Sequence, residues 1–318
     1  MTNSDAPRVT LGPSDLAVSP LALGGNVFGW TADTAQSFAV LDAYAAAGGN
    51  FLDTADVYSA WAPGNSGGES ETVIGEWLRS RGNRGQIVVA TKVGMLPGLD
   101  NLRPETIRRG AEESLRRLGV ERIDLFYTHR DDPETPVEEI VTTLDALVRE
   151  GKVREVAASN IGPERLAASL EFATREGLAK YVAVQPHYNL VSRDTYEGPL
   201  ADVAAEHGLS AVPYYALASG FLTGKYRPGT AVDSARAQGA GRYLEEPRGL
   251  RVLAALDEVA AAHGAQPAAV ALAWLAAQPT VAAPLASART VEQLPPLLAA
   301  AGLELTGAEL KLLSEASV

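Results

Sequence analysis

Ile123-Asp-Leu-Phe-Tyr127, then Thr135-Pro-Val-Glu-Glu-Ile-Val-Thr-Thr-Leu-Asp-Ala-Leu-Val-Arg149, then Val153-Arg-Glu-Val-Ala-Ala-Ser159 is the stretch whose reading decides the fold. The outer pieces are short and largely apolar, the composition of strands buried on both faces. In the middle piece Val137, Ile140, Val141, Leu144 and Val148 recur at helical spacing and mark one apolar face. Thr135 suits a helix cap, Pro136 the first helical position, and Glu138 would complete a capping box. Strand, helix, strand in that order is a parallel, right-handed unit.

The same alternation extends in both directions. Further candidate strands are Leu21–Gly24, Asn50–Asp53, Ile87–Thr91, Val182–Gln185, Ala211–Tyr214 and Val281–Pro284, which brings the total to eight. Pro104 opens another helix, marked by Ile107, Ala111, Leu115 and Leu118. Eight strands, each followed by helix, predict an α/β fold of the closed (β/α)8 TIM barrel type, as a single domain over residues 1–318. Before the first strand, Val9–Leu11 and Leu16–Val18 flank Gly12-Pro-Ser-Asp15 and predict a hairpin that plugs the bottom of the barrel. Thr306–Ser317 predicts an extra helix outside it. Two longer loops, Trp61–Gly68 and Arg227–Glu246, are expected to be functional or mobile.

Composition limits the function. The net charge of −12 argues against a nucleic-acid surface and against adhesion to anionic lipid. The chain has no cysteine, which removes disulfides, thiolate nucleophiles and Cys-ligated metals. Met1–Arg8 is polar and lacks the apolar core of a signal peptide. The longest apolar run, Ala268–Ala277, is too short to span a bilayer. A cytoplasmic protein acting on a small molecule is the expectation, with room for a homo-oligomer.

In such a barrel the chemistry sits at the C-terminal ends of the strands. Asp53 ends the second strand, and Tyr58 follows it. Lys92, His129, Ser159-Asn160, Gln185 and Tyr214 stand at the ends of the next five. Gly24-Gly25 ends the first and permits close backbone approach. Tyr, Lys, Asp and His form a proton-transfer set. A tyrosine that gives up its proton near neutral pH needs its phenolate stabilised, and a neighbouring ammonium, itself held by a carboxylate, does this. His129 is placed to orient a carbonyl oxygen and share the relay. Trp30, Trp61 and Tyr188 are candidates for an apolar substrate pocket, and Glu69–Glu71 for a helix first turn whose carboxylates favour the dipole. His187, His207 and His263 lack ligand spacing, and no metal is expected.

Phe51-Leu-Asp-Thr-Ala-Asp-Val-Tyr58, Val89-Ala-Thr-Lys92, and Asp124-Leu-Phe-Tyr-Thr-His129 with Asp132-Pro133 together resemble the signature motifs of the aldo-keto reductases, including the branch of potassium-channel β subunits. The resemblance covers nearly the whole chain. It implies a (β/α)8 barrel that binds NADP(H) without a Gly-x-Gly-x-x-Gly fold, with Asp53, Tyr58, Lys92 and His129 as the catalytic set. It implies that Ser159, Asn160 and Gln185 hold the nicotinamide carboxamide and that Tyr214 stacks on the ring. Leu217-Ala-Ser-Gly-Phe-Leu-Thr-Gly-Lys225 is similar to the family's pyrophosphate loop, through Leu217, Ser219, Gly220 and Lys225. Ser287-Ala-Arg-Thr-Val-Glu-Gln293 is similar to the segment that grips the adenosine 2′-phosphate, through Ser287, Arg289 and Gln293. Gly25 is expected to approach the cofactor by its backbone.

The chain departs from the family pattern at Ser287 (often Gly), Tyr215-Ala216 (often Ser-Pro) and Leu297 (often Asn). The resemblance implies an NADPH-dependent reductase that converts an aldehyde or ketone to an alcohol, with Tyr58 as general acid. Two alternatives stand beside it: a slow-turnover, redox-sensing NADPH-binding subunit, and a lyase that forms a Schiff base on Lys92. The abundance of Ala, Gly and Arg points to a GC-rich bacterial source.

Overall fold

The computed structural model describes residues 6–232 and 237–318. The reading of Met1–Asp5, and of residues 233–236 within the second long loop, falls outside the described residues. β1 (Val9–Thr10) and β2 (Ala17–Val18) pair antiparallel as the expected hairpin. Eight parallel strands follow: β3 (Ala22–Gly24), β4 (Phe51–Asp53), β5 (Val88–Val93), β6 (Ile123–Thr128), β7 (Val153–Ser159), β8 (Tyr181–Gln185), β9 (Ser210–Ala211) and β10 (Leu285–Ala286). Each pairs with its sequence neighbour, and β10 returns to pair with β3. Backbone bonds close the seam between β9 and β10: Ala211 N to Thr280 O at 2.8 Å, Ala282 N to Ala211 O at 3.0 Å and Leu285 N to Pro213 O at 3.0 Å. The sheet is therefore a closed barrel.

The eighth strand differs from its expected position at Val281–Pro284. Pairing with β3 falls to Leu285–Ala286, while residues 280–282 bond the β9 side. Pro284 has no N–H to give, so the ladder to β9 passes from Ala282 to Leu285 and the segment is split into two staggered halves.

Helices α1 (Thr34–Ala46), α2 (Glu69–Arg81), α3 (Pro104–Leu118), α4 (Val137–Arg149), α5 (Pro163–Glu176) and α6 (Pro199–Glu206) follow β3 to β8. α7 (Ala237–Gly241) is a short turn of helix within the second long loop. After it come α8 (Pro247–His263), α9 (Pro267–Ala276), α10 (Leu294–Ala299) and α11 (Gly307–Ala316). α11 is the predicted extra helix, opened by a Thr306–Glu309 capping box and tied to α9 by Trp274 Nε1 donating to Ser314 Oγ at 3.0 Å. α3 starts on Pro104 as expected. α4 does not carry the expected capping box. Its N-cap is Pro136, because Asp132 captures the Thr135 hydroxyl at 2.6 Å.

Strand alternation divides the core in two. Outward residues such as Leu23, Leu52, Val89 and Phe126 pack under the helices. Inward residues such as Ala22, Phe51, Ala90, Leu125 and Ala157 fill the barrel. Leu11, Leu16 and Val18 of the hairpin join that interior group and close the barrel's base. The hairpin turn needs Gly12. Its φ is +49°, and a Cβ there would stand 2.1 Å from Val182 O. Among the described residues no single helix is long and apolar enough to cross a membrane. Ala268–Leu275 of α9 is wholly buried.

Candidate active site

The two-residue period that sets the barrel interior also builds the site. Phe51, Ala90, Tyr127, Ala157 and Ala183 point inward. Two residues further along the same strands stand Asp53, Lys92, His129, Ser159 and Gln185, so those side chains rise at the barrel's mouth. Register staggers the first three, Asp53 standing opposite Ala90 and Lys92 opposite Tyr127, so that each lies one inward position below the next, while Ser159 stands level with Gln185.

Lys92 is fully buried, and its Nζ donates to Asp53 Oδ2 at 2.7 Å, Thr54 O at 2.7 Å and Tyr58 OH at 3.0 Å. Three acceptors match the three N–H bonds of an ammonium. Asp53 is buried as well. Its Oδ1 accepts from Gln185 Nε2 at 2.8 Å, and its Oδ2 accepts the Tyr58 hydroxyl at 3.3 Å. The Lys92 ammonium also lies 4.6 Å from the centre of the Tyr58 ring and 5.8 Å from that of Tyr127.

Burial and then the Asp53 charge hold the Tyr58 phenol well above its usual range. Tyr58 therefore keeps its proton in this fold. Burial lowers Lys92, against the pull of Asp53. Burial, with Lys92 and Arg130 behind it, drives His129 well below the usual imidazole range, so His129 is neutral. Its ring meets Tyr58 edge-on, centroids 5.9 Å apart, and its Nδ1 is buried without a partner among the described residues.

A cleft of about 730 Å³ opens above this group, a size that suits a cofactor and a small substrate. Its inner end is tightly cross-linked. Ser159 Oγ donates to Gln185 O at 2.9 Å, Asn160 Nδ2 to His129 O at 2.9 Å, and Tyr214 OH to Asn160 Oδ1 at 2.7 Å. His187 stacks behind Tyr214, centroids 5.5 Å apart. At the outer end Leu217, Ser219, Gly220, Lys225, Ser287 and Arg289 border the cleft, with Gln293 accepting from Arg289 N at 2.8 Å. Among the described residues neither Lys225 nor Arg289 has an ion-pair partner. Trp30 and Trp61 meet edge-on at 5.5 Å beside Tyr58, and Trp61 is half exposed. The Trp61–Gly68 loop is pinned by Asn65, which donates to Gly29 O and Ser59 O.

The structure corrects two readings and adds to a third. Gly25 does not border the cleft; a Cβ there would lie 2.7 Å from Ser70 Oγ, so this glycine lets β3 pack on α2. Tyr188 is buried away from the cleft, donating to Glu197 Oε1 at 2.7 Å and packing on Tyr196 and Trp274. Glu69 and Glu71 stand in the first turn of α2 as expected, and the structure adds the surroundings of Glu71. Glu71 is fully buried and accepts from Thr91 Oγ1 at 2.5 Å and Arg117 Nε at 2.5 Å. Among the described residues no group of acids and histidines could hold a metal.

The structure also adds residues. Asn26 lines the cleft and accepts the Ser287 hydroxyl at 2.6 Å, while Met95, Tyr215 and Gln266 form other parts of its wall. Asn26 follows the glycine pair that the sequence singled out, and only its neighbour drew attention.

Residues 20–317 match the family model described as the aldo/keto reductase family. The chain is 33% identical over 320 residues to norsolorinic acid reductase stcV of Emericella nidulans, covering 95% of this chain and 79% of that one. It is 32% identical over 321 residues to protein tas of Escherichia coli, covering 92% of each. It is 32% identical over 295 residues to a probable voltage-gated potassium channel subunit beta of Oryza sativa subsp. japonica, covering 89% and 88%.

Proposed function

The chain belongs to the aldo/keto reductase family of oxidoreductases, and from that premise we propose that it reduces an aldehyde or ketone to the alcohol with NADPH, Tyr58 acting as the general acid. The observation that carries this reading is the Lys92–Asp53–Tyr58 triangle, two of its members fully buried, at the floor of a cofactor-sized cleft.

The cleft fits a dinucleotide. Tyr214 offers a flat face at the inner end, beside the amides of Asn160 and Gln185. Lys225 and Arg289 offer two cations at the outer end of a chain whose net charge is −12. An unpaired guanidinium suits bidentate capture of a phosphate, which favours NADPH over NADH. The bound cofactor would supply the hydride.

The protein's part is to hold the carbonyl and deliver a proton. With the cleft free, the Tyr58 hydroxyl turns to Asp53. On substrate binding it turns to the carbonyl oxygen and donates there. The neutral imidazole of His129 offers an N–H to the same oxygen. As the proton leaves Tyr58, the Lys92 ammonium at 3.0 Å stabilises the phenolate, and Asp53 keeps that ammonium in place. The saturated coordination of Lys92 Nζ leaves no lone pair for a Schiff base, which argues against a lyase. A reductase of this kind would draw on the cytoplasmic nucleotide pool.

The test is steady-state oxidation of NADPH with an activated aromatic aldehyde, beside NADH, for the wild type and Tyr58→Phe. Turnover that prefers NADPH and falls about a hundredfold or more in Tyr58→Phe is expected. Full activity in the variant would overturn the assignment of the acid. Tight NADPH binding without turnover would favour the alternative of a slow-turnover, redox-sensing subunit.

A further inference from the structure

Behind the Lys92–Tyr58 pair lies a second acid that the mechanism above does not use. Asp56 is fully buried, and among the described residues no side chain hydrogen-bonds either of its carboxyl oxygens, which draw only on the N–H of the next residue, Val57. Its backbone N–H donates to Lys92 O at 3.2 Å, which fixes it against the strand that carries the lysine. The charged groups facing it come from three elements: Lys92 of β5, Glu71 of α2 and Arg117 of α3. Asp53, the partner of Lys92, and Glu113, 3.5 Å from Arg117, complete the surroundings.

The charges in this cluster decide its state. Lys92 pairs with Asp53, and Arg117 with Glu71. Each of those carboxylates also accepts a hydrogen bond from a second side chain. Two cations thus meet two hydrogen-bonded anions, and Asp56 is the third carboxyl, with no side-chain partner. An unpaired buried charge is costly, so Asp56 is the group that keeps its proton. Burial, then Glu71, push it up to about 8, while Arg117, a backbone hydrogen bond from Val57 and Lys92 pull the other way without offsetting them.

We propose that Asp56 is a positioning residue that sets the charge behind the Lys92–Tyr58 pair: it is carried through turnover as a neutral carboxylic acid, and loss of its proton shuts the pair down. The step is a simple ionisation, in which the O–H bond breaks, the proton goes to solvent and a carboxylate stays behind. That carboxylate adds negative charge where Tyr58 must become a phenolate, and it competes with the phenolate for the Lys92 ammonium. The proposal rests on the reductase reading above. Its placement of the proton does not, and the experiment separates the two.

The wild-type protein, labelled with ¹³C at the aspartate side-chain carboxyls, is titrated by NMR. Asp56→Asn identifies the Asp56 signal by its disappearance. One aspartate carboxyl is expected to titrate near pH 8. In parallel, kcat of the NADPH-dependent reduction is compared between about pH 6.5 and about pH 9 within each variant. The wild type should lose up to about tenfold per pH unit above that midpoint. Asp56→Asn, which mimics the neutral acid, should hold its ratio within about twofold.

An aspartate signal near pH 8 together with an alkaline limb that disappears in Asp56→Asn supports the proposal. The same limb retained in Asp56→Asn, or no aspartate titrating above about pH 6, overturns it. If Asp56→Asn does not fold, the wild-type titration still decides where the proton sits. A wild type that titrates as expected yet reduces no carbonyl sinks the reductase reading and, with it, the link to turnover.

Discussion

Asp56 also makes a prediction about folding that is independent of catalysis. In the unfolded chain its carboxyl has the ordinary value of 3.8, and in the folded protein it is held up to about 8. Between those values the folded state binds a proton that the unfolded state has released. Stability from this group is therefore greatest at the acid end and falls as pH rises. The span from 3.8 to about 8, at about 1.4 kcal/mol per pH unit, amounts to about 6 kcal/mol lost once both states are ionised. Between about pH 5 and about pH 8 the wild type should lose about 3 to 4 kcal/mol of it.

Asp56→Asn removes this dependence and nothing else that titrates. Its amide, set where no side-chain partner stands, adds a cost of about 1 to 3 kcal/mol that does not change with pH. The quantity to read is thus the slope of the difference, not its value at one pH. Urea unfolding is followed by tryptophan fluorescence, because Trp77 and Trp274 are wholly buried. The variant's stability relative to the wild type should rise by about 3 to 4 kcal/mol between about pH 5 and about pH 8. A difference that stays flat across that range would show that Asp56 is ionised in the fold, and the charge argument would fail.

Two further outcomes follow from the geometry. Arg289→Ala removes the unpaired guanidinium at the outer end of the cleft, so KM for NADPH should rise about tenfold to a hundredfold while KM for NADH changes little. Equal effects on both nucleotides would place the 2′-phosphate elsewhere. Gly12→Ala forces a Cβ to 2.1 Å from Val182 O at a φ of +49°, so the plug must shift, and thermal unfolding should show a loss of about 2 kcal/mol or more. An unchanged melting temperature would mean that the hairpin contributes nothing to closing the barrel.

Much of this was legible in the sequence, for identifiable reasons. Alternation along β4 to β8 is a local property, so Asp53, Lys92, His129, Ser159 and Gln185 could be placed at the mouth from their position two residues beyond an inward apolar residue. What failed was decided by partners that the strand and helix periods do not show. Pro284 read as the end of an apolar run, but its missing N–H only matters once β9 lies alongside. Thr135 read as a cap, but Asp132 takes its hydroxyl. Gly25 read as a cofactor contact, but Ser70 fills the space behind it. Glu71 and Asp56 gave no sign of their burial, because Arg117, which separates their fates, is 46 residues from Glu71.

The site is also where the fold gives up stability. Outside glycine, positive φ occurs among the described residues at Ser59, Asn160, Tyr215, Ala218, Ser219 and Thr280. The first five lie in the loops that build the cleft, and Asn160, Tyr215 and Ser219 line it. Conformations of this kind cost about 1 to 3 kcal/mol each and persist only where the surroundings force them. The buried Lys92 and Asp56 add to the same side of the balance. The opposing term is the two apolar cores, one inside the barrel and sealed by the hairpin, the other between the strands and the helices. Strain at the mouth and stability at the base and flanks belong together: a rigid barrel is what holds Lys92 Nζ 3.0 Å from Tyr58 OH when the charges around it would otherwise draw in water.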